Sequence, residues 1–394
     1  MPRLFLLDGT ALAYRAHFAM QRSGLTTPEG KPCGATYGFA LTLRRILDHE
    51  APDRIVVAFD PKGPTFRHRR YAEYKATRER IPEELVDQLE WLRELARAHG
   101  VPIFEVPGYE ADDVIGTLSK QAEHAGWDVL IVSGDKDMMQ LVSPQVTLYN
   151  VFKQGVDVAL ESFDAVKEKF GTTPDHVIDV LAIMGDASDN VPGVHGIGEK
   201  GAQKLIQDFG SVAGVLAHLA EVKGKAREHI ERDREQLLLS LELVTIDRDM
   251  RLDPGFAELP PYEPDAQRVA EFFRRMGFIS LLKKVETKVA RDEARDYRTV
   301  RTHAELEALI ATLRAAGAFA LDTETTSLFA LEAELVGMSF SCAASRAWYV
   351  PFNCDPPVVE GGKPALLDCV EFLEEEMADD NRLRRVPQVG AAHT

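Results

Sequence analysis

Four short segments in the first third of the chain are almost continuously apolar: RLFLLD (3–8), RIVVAFD (54–60), PIFEV (102–106) and DVLIVSGD (128–135). Runs of this length, rich in Val, Ile and Leu and without the alternation of a half-exposed strand, predict parallel strands buried on both faces. Between them the apolar positions take a helical spacing. In PEELVDQLEWLRELARAHG, Leu85, Leu89, Leu92 and Ala96 share one face and Gly100 closes the helix; in EADDVIGTLSKQAEHAG the stripe is Ala111, Val114, Ile115, Leu118 and Ala122, closed by Gly126. This alternation predicts an α/β fold with a mostly parallel central sheet covered by helices on both faces.

From Pro174 to about Leu282 the strand signals fade and helical ones dominate. Residues 286–298 are charged and poor in apolar side chains, which reads as a linker. After it, THAELEALIATLRAAG reads as a helix and FALDTE, LVGMSFS and AWYVPF as strands, so a second, incomplete α/β domain is expected over 299–394. The expected organisation is a first domain over 1–285, with an α/β part (1–173) and a helical part (174–285), then the linker and the second domain.

Composition changes this picture little. The 394 residues are 45% hydrophobic and 28% charged, as in soluble globular proteins, and provide for two or three cores. The apolar run Leu4 to Leu7 stops at Asp8 and no longer run follows, so neither a signal peptide nor a membrane anchor is expected. Cys33, Cys342, Cys354 and Cys369 lack metal-ligand spacing, which points to a reduced, cytoplasmic setting. Charge is more informative. A net charge of −17 argues against a polyanionic partner, yet residues 62–80 hold seven Lys or Arg against two Glu.

Three of the early strands end in an acid: Asp8, Asp60 and Asp135. Singly, each reads as well as a helix cap or turn residue. In an open α/β sheet, however, strand C-termini line the ligand crevice, and three acids at equivalent places converge there. Glu110, Asp112 and Asp113 open the helix after the third strand, where the helix dipole alone would favour acids. Asp137 follows Asp135, and Asp186 and Asp189 repeat a one-turn spacing. Two bare carboxylates about 4 Å apart repel by roughly 4 kcal/mol at an effective dielectric near 20. Convergence therefore demands cations, and all-oxygen ligands select Mg²⁺ or Mn²⁺. Two such ions about 4 Å apart form the clamp for in-line phosphodiester hydrolysis.

Residues 196–201, GIGEKG, satisfy the dinucleotide fingerprint G-x-G-x-x-G, but the polar turn through Asp186, Asp189, Asn190 and Pro192 replaces the strand that the fingerprint needs. No nucleotide cofactor is expected. LFLLDGT resembles the haloacid dehalogenase phosphatase motif, but Leu6 stands at the nucleophile's position, so a covalent aspartyl phosphate is not expected either.

Taken in order, LLDGTALAYRAHFA, GATYGF, VVAFDPKGPTFRH, YKATRERIPEEL, GYEADDVIGTL, LIVSGDKDMMQLV and LAIMGDASDNVPGVHGIGEKGAQKLI resemble the N-terminal portion of bacterial DNA polymerase I, its 5′ nuclease domain of the flap endonuclease type. The resemblance spans about residues 3–285 and implies a PIN-like, flap-endonuclease-like α/β fold with a helix-hairpin-helix element at 190–208. It implies a metal cluster of Asp8, Asp60, Glu110, Asp112, Asp113, Asp135, Asp137, Asp186 and Asp189, with two or more Mg²⁺ per site. It also implies hydrolysis of DNA at 5′ flaps, nicks or 5′ ends in replication and repair, and a monomer without membrane attachment.

Lys75 and Arg78 fall on the family's gateway residues; one helical turn apart, they would face the scissile phosphate. Tyr74 either stacks on an unpaired base or packs in the protein. Arg67, Lys200 and Lys204 are expected at DNA, and the Gly196–Gly198 turn is expected to offer backbone N–H groups to a phosphate. By the resemblance, this turn also holds K⁺. Asp113→Ala is expected to remove most turnover through loss of metal, while DNA binding survives.

FALDTETTSL resembles the opening motif of the RNase H-like 3′-5′ exonuclease domain of the same family, with Asp322 and Glu324 on one side of a strand. The family's second motif is not matched by Val389-Gly390-Ala391-Ala392-His393-Thr394, so neither proofreading nor polymerisation is expected of this chain. The alternative to a nuclease is a catalytically silent module that binds DNA junctions. A PIN-type RNase would carry fewer acids and no helix-hairpin-helix.

Overall fold

The computed structural model describes residues 1–352 apart from 79, 152–157, 293–295, 317, 328–333 and 344. The chain divides into two compact units, Met1–Val285 and Glu286–Thr394, each described by itself.

The apolar runs of the first unit become the strands Arg3–Asp8 (β1), Arg54–Ala58 (β2), Ile103–Phe104 (β3) and Asp128–Val132 (β4). Two further strands, Val146–Asn150 (β5) and Ala159–Glu161 (β6), complete a six-stranded sheet in the order β3-β2-β1-β4-β5-β6. All neighbours are parallel except β5 and β6, which form an antiparallel edge. The order runs outward from β1 to β3, then returns to the other side of β1 with β4, so a topological switch point lies at β1.

Helices Gly9–Met20 (α1), Gly34–Arg45 (α2), Phe66–Arg70 (α3), Glu83–Ala98 (α4) and Ala111–His124 (α5) connect and cover the sheet. The helical part contains Phe163–Phe170 (α6), Val177–Met184 (α7), Glu199–Phe209 (α8), Val212–Ala217 (α9), Lys225–Arg232 (α10), Arg234–Val244 (α11), Ala266–Met276 (α12) and Ile279–Asp292 (α13). One buried cluster runs from Leu4, Val56 and Ile131 of the strands through Val114 and Leu118 of α5 to Leu181, Ile206 and Leu237 of the helical part. The acids at the sheet edge and the hairpin between α7 and α8 are thus held by a common core.

The second unit contains Asp296–Thr299 (β7), His303–Ala316 (α14), Ala320–Thr325 (β8), Leu335–Ala343 (β9) and Arg346–Pro351 (β10). Its sheet order is β7-β10-β9-β8, with Leu306, Leu309 and Leu313 of α14 buried against Phe340 and Val350. The segment that reads as a linker is helical as far as Asp292. A charged, apolar-poor stretch reports exposure, and exposure is compatible with a helix. The residues from Val389 to Thr394 lie outside those described. Among the described residues, no helix is long and apolar enough to cross a membrane.

Candidate metal centre and DNA-facing elements

Asp8 ends β1 and caps α1, its Oδ1 accepting the Ala11 N–H at 2.9 Å. Asp60 follows β2; its Oδ1 accepts the Ala111 N–H at 2.9 Å, and its own N–H donates to Thr10 Oγ1 at 2.9 Å. Asp135 follows β4 and is tied to Asp8 through Ser133. That hydroxyl donates to Asp8 Oδ2 at 3.2 Å and accepts the Asp135 N–H at 3.1 Å. These three acids border the crevice at the β1 switch point, and the N-terminus of α5 brings Glu110 and Asp112 to it.

Burial and mutual repulsion mark one set of these carboxyls. Asp8 is pushed up to about 7 by burial, then by Asp60 and Asp135, against the pull of the Ala11 N–H. Asp112 is raised well above the usual carboxylate range by burial and by Asp8 and Asp135. Asp137 is pushed up to about 8 by burial, with Asp135 and Asp186 adding to it. Its Oδ1 is a buried atom without a hydrogen-bond partner. A buried, unpaired carboxylate oxygen is costly, and a hard divalent cation is the partner that an all-oxygen donor set favours. The residues present therefore fit such an ion.

Three further acids are turned to protein cations. Glu110 Oε1 lies 3.0 Å from Lys75 Nζ, Asp186 Oδ2 lies 3.1 Å from Lys136 Nζ, and Asp189 pairs with Arg78 and, at 3.6 Å, with Lys75. Burial would raise the Asp189 carboxyl, but Lys75 and Arg78 hold it below its ordinary value. Among the described residues, no three acidic, imidazole or thiol groups already stand in one coordination sphere. Seven of the nine carboxylates thus fall into two classes, uncompensated (Asp8, Asp112, Asp137) and cation-paired (Glu110, Asp113, Asp186, Asp189), while Asp60 and Asp135 accept backbone N–H groups.

Asp113 differs most from its expected role as a catalytic ligand. It is fully buried, and each carboxylate oxygen accepts two hydrogen bonds: Oδ1 from Arg67 Nη2 (2.8 Å) and Asp247 N (2.9 Å), Oδ2 from Arg67 Nη1 (2.8 Å) and Glu110 N (2.9 Å). That fills the acceptor capacity of a carboxylate. Arg67, expected at DNA, is only 2% exposed. Besides Asp113, its guanidinium donates to Leu243 O (2.8 Å), Thr245 O (2.7 Å) and Glu110 Oε2 (3.4 Å), which occupies all five N–H groups. Neither side chain is available to a metal or to DNA.

Tyr74 is 4% exposed, and its hydroxyl is shared between Glu110 Oε2 and Asp189 Oδ2, both at 3.1 Å. It packs rather than presenting a ring to a base. Lys75 and Arg78 sit in successive turns instead of a helix, because Lys75 takes a left-handed φ of 56°. The turn is held where it is by backbone contacts: Lys75 N–H donates to Asp189 O at 2.9 Å, and Asn190 Nδ2 donates to Glu73 O at 2.7 Å.

A helix, α7, leads into the Gly196–Gly198 turn, and α8 leaves it. Gly196 has φ 91°, and a Cβ there would lie 2.6 Å from the His229 ring. Gly198 has an ordinary φ of −90° and open space around a would-be Cβ, so neither its backbone nor its surroundings require glycine. Gly196, Gly198, Lys200 and Lys204 are all exposed. In the second unit, Asp322 and Glu324 lie exposed on β8 and pair with Ser339 and Gly337 of β9.

Residues 3–171 match the family described as 5′-3′ exonuclease, N-terminal resolvase-like domain, and residues 172–267 match its C-terminal SAM fold. The chain belongs to the 5′-3′ exonuclease family. Residues 297–382 match a family described as 3′-5′ exonuclease, which follows the first match along the chain. DNA polymerase I of Bacillus caldotenax is 43% identical over 293 residues, which is 74% of this chain and 33% of the relative. DNA polymerase I of Pseudomonas aeruginosa is 41% identical over 370 residues, 88% of this chain and 40% of the relative. The chain thus spans a third to two-fifths of the length of these relatives. The T5 5′-exonuclease, solved with zinc ions bound, shares the fold with a TM-score of 0.54 and 22% identity over 73% of this chain and 98% of that one.

Sequence reasoning about the exonuclease centre missed Lys136 and Gln140. Lys136 had a signal, its position between Asp135 and Asp137; Gln140 had none, since beyond its local bond to Asp137 O its partners, Val244 and Ile246, lie more than a hundred residues away.

Proposed function

We propose that the chain is a divalent-metal-dependent, structure-selective 5′ nuclease that hydrolyses DNA phosphodiester bonds at 5′ flaps, nicks and 5′ ends. The observation that carries this reading is the uncompensated set at the switch point, above all the buried, unpartnered Oδ1 of Asp137, beside the cations of Lys75 and Arg78. Asp8, Asp60, Asp112, Asp135 and Asp137 would hold the ions, with Glu110, Asp186 and Asp189 joining as their protein cations are drawn to phosphate. Mg²⁺, or Mn²⁺ in its place, would lower the pKa of the attacking water and stabilise the leaving oxygen.

The protein's own groups do the rest. Lys75 and Arg78 are kept protonated by Glu110 and Asp189 and can swing to the scissile phosphate, where their charge stabilises the transition state. The Gly196–Gly198 turn and the start of α8, with Lys200 and Lys204, take a backbone phosphate and read no base. The same reading puts K⁺ at this turn. The test is a labelled 5′-flap duplex with and without Mg²⁺: cleavage near the junction only with the ion supports the proposal. Binding of that duplex without cleavage would instead make the chain a silent junction module.

A further inference from the structure

The end of α11 and the residues that follow it, Leu243 to Asp247, are gripped from two sides in turn. Leu243 O and Thr245 O accept from Arg67 at 2.8 and 2.7 Å, and Asp247 N–H donates to Asp113 Oδ1 at 2.9 Å. Between these contacts, Val244 O accepts from Gln140 Nε2 at 3.0 Å and Ile246 N–H donates to Gln140 Oε1 at 2.9 Å. Leu243 O and Val244 O belong to the last turn of α11, whose carbonyls have no intrahelical partner, so both grips also satisfy groups that a helix end leaves open. A guanidinium is well suited to this place, since the helix C-terminus carries partial negative charge.

Each grip continues to a different ligand-bearing segment. Asp113 Oδ2 accepts the Glu110 N–H at 2.9 Å and so fixes the start of α5, which carries Glu110 and Asp112. Gln140 Nε2 also donates to Asp137 O at 2.9 Å, inside the short 3-10 turn that begins at Asp137. The other end of α11 holds the hairpin: Asp233 accepts the His195 N–H at 2.9 Å, and Gln236 donates to Gly193 O at 2.7 Å.

We infer that Gln140 and the Arg67–Asp113 pair are positioning residues: they clamp the exit of α11 between the Glu110/Asp112 segment and the Asp135/Asp137 segment and thereby set the spacing of the metal-holding carboxylates. The inference rests on the metal-centre reading above. Partners that orient metal ligands through hydrogen bonds commonly matter about 10- to 100-fold in metal affinity or activity. Gln140 is the cleanest probe, because it carries no charge and touches neither the crevice acids' side chains nor the hairpin.

The experiment measures Mn²⁺ uptake by electron paramagnetic resonance, and the Mg²⁺ concentration giving half-maximal flap cleavage, in the 394-residue chain and its Gln140→Leu and Gln140→Met variants. Melting temperature and flap-DNA affinity in EDTA are recorded alongside. The expected result is uptake weakened about tenfold and a parallel rise in half-saturating Mg²⁺, with DNA affinity in EDTA unchanged. Lower melting temperatures with unaltered Mn²⁺ uptake would make Gln140 a packing residue and overturn the inference, as would failure of both variants to fold. Absence of Mn²⁺ uptake by the unsubstituted chain would instead remove the metal-centre reading itself.

Discussion

Asp112 and Asp113 are neighbours on one turn of α5, yet they belong to opposite worlds. Asp113 has an arginine across both oxygens and two backbone N–H groups besides. Asp112 is raised by burial and by the charges of Asp8 and Asp135, with Lys75 only partly offsetting them. The first side chain spends its charge on structure, and the second has charge left for a ligand. The same division recurs in the cluster: Asp8 and Asp137 stand with Asp112, while Asp189 is paired with Lys75 and Arg78.

The largest effect that can break this comparison is on turnover. Asp112→Asn should lower flap cleavage at saturating Mg²⁺ by about 1000-fold, the scale on which a preorganised electrostatic contact acts. The metal-free protein should unfold no more easily, because a repelling charge has gone. Loss of rate together with loss of stability would place Asp112 on the structural side. Asp113→Asn should do the reverse. Breaking a buried pair leaves Arg67 uncompensated and costs about 3 to 5 kcal/mol, read by denaturant unfolding, while the folded fraction loses no more than about 10- to 100-fold in cleavage. An undiminished fold with abolished cleavage would restore Asp113 as a ligand.

Acidity gives a smaller and directional test. Asp8 and Asp137 titrate at about 7 and 8 in the fold, against 3.8 in the open chain. Between these values the folded state binds more protons, so stability in EDTA should rise as pH falls from about 8 to 6.5 and be lost as pH rises again. Below 6.5 the buried His99, held down to about 4 by burial, is protonated first in the unfolded chain and works the other way. Melting curves between pH 6.5 and 8 should slope downward with pH in EDTA and lose that slope in Mg²⁺. A flat line in EDTA would mean that neither burial nor repulsion raises these carboxyls.

The smallest effect belongs to the hairpin. Gly198→Ala meets nothing within the protein and should leave stability within about 0.5 kcal/mol. Any loss in DNA affinity, by filter binding or fluorescence anisotropy, then reports close approach of a phosphate. An unchanged affinity would take Gly198 out of the interface.

Much of this was legible in the chain because its strands are buried on both faces: RLFLLD and DVLIVSGD can hardly be read otherwise, and acids at their ends follow from the topology of open sheets. β5 and β6 were harder, since VTLYN is short and mixed and β6 is a three-residue edge. The helix through residues 286–292 was hidden because composition reports exposure before conformation. The site was legible as a set of acids, but its division was not. Arg67 finds Leu243 and Thr245 at separations of 176 and 178 residues, and Asp113 finds Asp247 at 134. No local pattern can reveal that an arginine in a basic run is folded inward, or that one of two adjacent aspartates is already spoken for.

The most direct test is calorimetric titration of the metal-free chain with Mg²⁺ at pH 7.5 in two buffers of different ionisation enthalpy. The account predicts saturable uptake whose apparent heat differs between buffers, because ion binding expels protons from Asp8, Asp112 and Asp137. No uptake, or uptake with the same heat in both buffers, would contradict it.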